Sequence, residues 1–198
     1  MTYDIYLVGV GGQGVLTLGD LIVRAAINKG IAVNFFPTKG MAQRGGFVKA
    51  ELRLGRTPVG PHIQEKGAQL VIAMECSEAL KGVRYAQPGG DFLLYGHVWE
   101  PTAVMLGETA YPSLESVLEA IRGSNAQLIY VDPKELPKID GGYVATNIFV
   151  LGAVFGNTRL GEVLNADKMA EVVQARWPRR AEHNVAAFDA GLRVRGTP

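Results

Sequence analysis

A chain of 198 residues has room for one domain with a sizeable core, and its charged residues nearly cancel, leaving a net charge of +1. Such a balance supplies no field to attract nucleic acid or an anionic membrane surface. The single cysteine, Cys76, excludes an internal disulfide and an iron–sulfur ligand set. No apolar run approaches the roughly 18 residues of a membrane span, and the first residues lack signal-peptide character, so a cytoplasmic location is expected.

Residues 4–10 form a short apolar run ending in glycines, the pattern of a buried parallel strand. Leu18, Leu21, Ile22 and Ala25 recur at helical spacing, which predicts an amphipathic helix over residues 12–29, stopped by Gly30. Residues 31–36 read as a second strand, completing a right-handed βαβ unit. In residues 47–54, Val48, Ala50, Leu52 and Leu54 alternate with Lys49, Glu51 and Arg53. Strict alternation predicts an antiparallel strand near an edge with one wet face.

A loop follows over residues 55–67, then a buried strand at 70–74 and a short helix at 77–85. The turn Pro88-Gly89-Gly90-Asp91 leads into a strand at 92–95. Ser113 is the expected N-cap of a helix running to Ile121, and a further strand occupies 128–131. Residues 147–155 read as a buried helix. Two amphipathic helices, 166–177 and 179–192, are broken at Pro178. No repeat or long linker divides the chain, so residues 1–198 are read as one α/β domain. The expected architecture is a single open, mostly parallel, Rossmann-like sheet with helices on both faces and one antiparallel edge strand.

Two glycine-rich turns carry the chemistry. Gly9, Gly11 and Gly14 fit G-x-G-x-x-G between a predicted strand and helix. Missing side chains let the backbone approach a phosphate, and the helix N-terminus offers free N–H groups. The second turn, Lys39-Gly40-Met41-Ala42-Gln43-Arg44-Gly45-Gly46, should lie beside the first and brings cationic and amide groups. Both turns are open to two readings: a site for a phosphorylated ligand, or a contact with a partner subunit. Plain strand–helix packing is the bland alternative for the first, and a solvated surface loop for the second. Dinucleotide binding expects an acid after the second strand, and Pro37-Thr38-Lys39 stands there instead.

Catalytic machinery is sparse. His62, His97 and His183 are isolated, so no metal site is expected. Cys76 reads as a small buried hydrophobe, Glu75 and Glu78 as solvated or capping residues, and Asn147 and Asn184 as capping or buried hydrogen-bonding groups. No residue is assigned a catalytic role; the chain reads as a binding subunit.

The two turns, together with Asn147, Leu151-Gly152-Ala153, Asn184, Ala187-Phe188 and Gly191, resemble the gamma subunit or domain of the 2-oxoacid:acceptor oxidoreductases along nearly the whole chain. Gly40-Met41-Ala42-Gln43-Arg44-Gly45-Gly46 is most similar to the small subunit of the indolepyruvate and phenylglyoxylate enzymes. The resemblance implies oxidative decarboxylation of an aromatic 2-oxoacid to its acyl-coenzyme A. It also implies thiamine diphosphate and iron–sulfur clusters on partner subunits, with ferredoxin or another acceptor served through them. Carried over by position, Gly11, Gly12, Gln13 and Gly14, with Lys39, Gly40, Met41, Gln43, Arg44 and Gly45, would face coenzyme A or dock the thiamine-binding subunit. The chain would not be active alone. The competing expectations are a small stand-alone nucleotide-dependent oxidoreductase and a purely structural assembly subunit.

Overall fold

The computed structural model describes residues 2–40, 46–55 and 59–198, with backbone alone at Lys39, Thr102 and Ala103. In chain order the elements are β1 (Tyr3–Val10), α1 (Val15–Asn28), β2 (Val33–Lys39), β3 (Phe47–Leu54), β4 (Ala68–Ala73), α2 (Cys76–Val83), β5 (Ala86–Tyr95), α3 (Thr102–Met105), α4 (Leu114–Gly123) and β6 (Gln127–Val131). Then come β7 (Lys138–Ile139), β8 (Gly142–Tyr143), α5 (Thr146–Asn157), α6 (Leu160–Leu164), α7 (Ala166–Arg176) and α8 (Ala181–Arg193). Six strands form one sheet in the order β2-β3-β1-β4-β5-β6, and β7 and β8 make a separate small hairpin.

β1 lies at the centre and is buried along its whole length. Its side chains alternate between two cores, as the pleat requires. Ile5 and Leu7 face α1, α5, α7 and α8, while Tyr6 and Val8 face α2 and α4. Covering both faces accounts for the near-continuous apolar runs of β1, β4 and β5. Ser113 caps α4 as expected, accepting from the Ser116 N–H at 3.2 Å.

The expected βαβ unit needs one correction. β3 stands between β1 and β2, pairing antiparallel with both, so β2 runs parallel to β1 without touching it. The antiparallel strand is therefore one position in from the edge, and β2 is the edge. The period-2 pattern still decides its orientation, because Val48, Ala50, Leu52 and Leu54 must all face α1. β2 carries Pro37, which has no N–H to offer. On the far edge, β6 is clasped by Thr197: the Tyr130 N–H donates to the Thr197 carbonyl at 2.8 Å, and the Thr197 N–H donates back at 3.0 Å.

The expected wet face of β3 is covered instead. Residues 59–67 fold over it and seat Ile63 there, so the charges must be paired. Glu51 accepts from Lys49 at 2.8 Å and from the Ile63 N–H at 2.5 Å, with His62 at 3.1 Å. Arg53 grips Asp4 at 2.9 Å and the carbonyls of Gly60 and His62 at 3.2 Å. Burial by itself would push the Glu51 carboxyl up; the hydrogen bonds from Lys49, Ile63 and His62 outweigh it and hold it below its ordinary value. A depressed acid stabilises the fold above the unfolded carboxylate range and loses that contribution as pH falls through the folded value. Glu51→Gln is thus expected to cost about 1–3 kcal/mol at pH 7. In thermal melts its deficit against wild type should close as pH drops below about 4.3, the free glutamate value. A deficit unchanged at pH 3 would refute the assignment.

α5 and α8 cross with their backbones touching. A Cβ on Gly152 would run into the Phe188 backbone, and one on Gly191 would lie 2.8 Å from the Ala153 nitrogen and 2.9 Å from the Gly152 Cα. Phe155 and Phe188 pack edge to face beside this crossing, 5.8 Å apart.

Candidate functional site at the carboxyl ends of β1, β4 and β5

The chain leaves β1 toward β2 and β3 on one side, then returns to place β4 on the other. Ligands in open α/β sheets bind outside the carboxyl ends of the strands at such a reversal. A cavity of about 450 Å³ lies there, lined by Gly11, Gly12, Gln13, Met74, Tyr95, His97, Trp99, Thr146 and Asn147.

The first glycine turn forms one wall. Gly12 and Gly14 have φ of +103° and +77°, which a side chain resists. A Cβ on Gly14 would also lie 2.5 Å from Asn147 Nδ2. Gln13 ties the turn down, its Oε1 accepting from the Val10 N–H at 2.9 Å and its Nε2 donating to the Met74 carbonyl at 2.9 Å. Its amide is thereby committed to the fold, and only its accessible face reaches the cavity. The Gly11 N–H donates to the Gly46 carbonyl at 2.8 Å, and the Gly40 N–H to the Phe47 carbonyl at 2.8 Å. The two glycine turns are therefore neighbours, as the sequence suggested. Lys39 ends β2, its backbone paired with Val48. Met41, Gln43, Arg44 and Gly45 lie outside the described residues.

The adjoining wall is the N-terminus of α5, whose Asn147 lies against Gly14. The sequence suggested a capping or buried hydrogen-bonding role for Asn147; it sits instead inside the first turn, and Ala145 occupies the cap position without a side-chain bond. Among the described residues, the side chains of Thr146 and Asn147 and the N–H groups of Gly12 and Gly14 have no hydrogen-bond partner. Both helices that reach the cavity, α1 and α5, lack a side-chain cap and an acidic residue in the first turn. α2, α4 and α7 have both. Two uncompensated positive helix ends converging on one cavity make a setting for an anion.

The third wall is aromatic. From the last residue of β5 onward, Tyr95 and His97 stack at 6.3 Å, and Trp99 tilts against His97 at 6.5 Å. Burial pushes the Tyr95 phenol up to about 12, so it stays a neutral donor. The sequence reading passed over this row. The alternation Tyr95-x-His97-x-Trp99, continuing the period of β5 beyond its last residue, was the available signal.

Cys76 is buried, and burial with the neighbouring Glu75 charge pushes its thiol up to about 11, fitting the expected structural role. Glu75 proves to be a cap and is fully buried, accepting from the Glu78 N–H at 2.8 Å. Asn184 is buried within α8. Among the described residues no cluster of His, Cys, Asp or Glu could hold a metal ion, and no helix is long and apolar enough to cross a membrane.

The family model of the pyruvate ferredoxin/flavodoxin oxidoreductases matches residues 4–194. The chain belongs to this family. It is 37% identical over 156 residues to the indolepyruvate oxidoreductase subunit IorB of Archaeoglobus fulgidus, covering 79% of this chain and 77% of that one. Among solved structures, it superimposes on pyruvate oxidoreductase subunit PORC of Thermotoga maritima with a TM-score of 0.70 at 20% identity, covering 96% of this chain and 95% of that one. It also matches 30% of a chain of 2-oxoglutarate:ferredoxin oxidoreductase from Magnetococcus marinus, with 2-oxoglutarate, coenzyme A and succinyl-CoA bound (TM-score 0.67, 18% identity, 96% of this chain). The gamma-type fold is thus shared along nearly the whole length, and the chain is a subunit of a 2-oxoacid:ferredoxin oxidoreductase.

Proposed function

We propose that this subunit forms the coenzyme A side of a shared active site, in a complex that converts an aromatic 2-oxoacid to its acyl-coenzyme A. The observation that carries the reading is the convergence of two uncompensated helix N-termini, α1 and α5, on one cavity beside the glycine turn. Free N–H groups at Gly12 and Gly14, the Thr146 hydroxyl and the Asn147 amide suit phosphate oxygens. Lys39 and Arg44, in the neighbouring turn, would add cationic charge. A cavity of about 450 Å³ holds part of coenzyme A, not all of it. The coenzyme would supply the thiol that takes the acyl group; this chain's part is to bind and orient it. The aromatic substrate class rests on the indolepyruvate relative.

Iron–sulfur clusters do not fit this chain, whose one cysteine is buried. We place the clusters and thiamine diphosphate on partner subunits, in a cytoplasmic hetero-oligomer that is inactive when this chain stands alone. A second reading, in which the turns dock the thiamine-binding subunit, draws support from apolar groups close in sequence to the aromatic wall. Val98, Met105 and Leu106 are exposed there.

Arg44→Ala and Asn147→Ala in the assembled complex separate the two. With indolepyruvate as substrate, half-saturation by coenzyme A should rise at least about fivefold, the size of one lost hydrogen bond, while size-exclusion chromatography finds the complex intact. A complex that falls apart supports docking. An intact complex with unchanged half-saturation refutes the coenzyme A reading.

A further inference from the structure

The Glu75 carboxylate is fully buried, and among the described residues no cation is bonded to it. Four donors from those residues satisfy it, two on each oxygen. Ser77 Oγ at 2.7 Å and the Glu78 N–H at 2.8 Å approach Oε2; the Trp99 N–H at 3.1 Å and the Tyr111 hydroxyl, in a very short bond, approach Oε1. The first pair makes Glu75 the N-cap of α2, and the positive end of that helix offsets the buried charge. Capping needs only one oxygen. The other oxygen is given wholly to residues 24 and 36 positions farther along the chain.

Those two partners are the ends of one excursion. From Trp99 the chain runs out through the single turn of α3, exposing Met105 and Leu106, and returns at Tyr111. Two more bonds close the same neck: the Cys76 N–H donates to the His97 carbonyl at 2.9 Å, and the Ser77 N–H to Tyr111 Oη at 3.2 Å. With its outermost side chains in solvent, the excursion takes its position from its ends, as compact surface loops do. His97 and Trp99, at its root, line the cavity.

We propose that Glu75 is a positioning residue of the ligand site, fastening both ends of residues 99–111 and thereby fixing the His97–Trp99 wall against the glycine turn. This rests on reading the cavity as the ligand site. Glu75 touches no ligand itself; it acts through the backbone of Trp99 and the ring of Tyr111. Tyr111→Phe removes the two bonds of the hydroxyl, to Glu75 and from the Ser77 N–H, and keeps the ring; Glu75→Gln keeps an acceptor but brings in a misplaced donor, and Glu75→Ala removes all four bonds to the carboxylate.

The test compares these variants in the assembled complex, by hydrogen–deuterium exchange and by steady-state kinetics with coenzyme A varied. Exchange over residues 97–111 should rise in the order Tyr111→Phe, Glu75→Gln, Glu75→Ala, by about tenfold or more in the last, with β1 and α5 unchanged. Half-saturation by coenzyme A should rise in the same order while kcat stays within about twofold. Unchanged exchange at 97–111 overturns the proposal. So does raised exchange with unaltered half-saturation where Asn147→Ala raises it, and the cavity reading then survives. If Asn147→Ala and the Glu75 variants all leave half-saturation unaltered, the cavity reading falls and the proposal with it. Should Glu75→Ala fail to assemble, Tyr111→Phe alone decides.

Discussion

Gly191→Val is expected to leave no stably folded subunit. Its Cβ would collide with the Phe149 carbonyl and lie within 2.9 Å of the Ala153 nitrogen and the Gly152 Cα. All three are backbone atoms, and no rotamer change can move them aside. Overpacking of side chains costs about 1–3 kcal/mol; pushing two helix backbones apart should exceed about 3 kcal/mol, a large share of the 5–15 kcal/mol that holds a typical domain together. The damage would spread, because α5 and α8 carry Phe149, Val150 and Phe188 into the core on one face of the sheet. Gly30→Ala is the matched control. Gly30 has φ +72° with open space around its Cβ position, so only backbone strain of about 1 kcal/mol is incurred. Thermal denaturation of the full chain followed by circular dichroism distinguishes them. A Gly191→Val melting temperature as high as that of Gly30→Ala would refute the close crossing.

The largest functional effect is expected at Gly14. Alanine there incurs the same strain as at Gly30, since φ is +77°, but its Cβ would also lie 2.5 Å from Asn147 Nδ2 and 2.9 Å from Asn147 Cγ. The asparagine must turn into the cavity or the glycine turn must withdraw from it. Either movement separates the N–H groups of the turn from the N-terminus of α5. Misplacing a binding wall by about 1 Å can lower turnover about a hundredfold. The expected result is a complex that assembles and melts close to one carrying Gly30→Ala, yet loses at least about tenfold in kcat/KM for coenzyme A. Gly12→Ala isolates the clash: its φ is +103°, and nothing lies within 4 Å of its Cβ position. Equal losses for Gly12→Ala and Gly14→Ala would trace the effect to backbone strain alone.

Much of the fold was legible because its signals are local. The apolar run at Ile5–Val8 announced a strand covered on both faces, and Pro178 separated the last two helices where expected. The alternation in β3 gave its orientation correctly. What it could not give was its neighbours, since the same alternation suits an edge strand and one inserted between β1 and β2. Nor could it reveal that Glu51 is covered, because Ile63 closes over it from a loop with no periodicity of its own. At the site, the glycine turn stood out because a positive φ selects a rare residue type. Thr146 was hidden among ordinary helix-start residues, Asn147 stood out only as a capping or buried hydrogen-bonding group, and His97 looked isolated because its partners are ring faces brought together by the end of β5. Glu75 was recognised as a possible cap. Its hold on Trp99 and Tyr111 is a contact between distant segments, which no spacing encodes.

The clasp of Thr197 on Tyr130 bears on how the subunit joins others. A sheet with a bare outer strand can grow by accepting a neighbour's strand, and identical copies can then stack without limit. Here Thr197 already occupies the outer hydrogen-bonding groups of Tyr130 on β6, and at the other margin Pro37 interrupts the row of donors on β2. Recruitment by strand exchange would first have to peel Thr197 away. At β6, growth of the sheet by a neighbour's strand is therefore disfavoured for as long as the clasp holds.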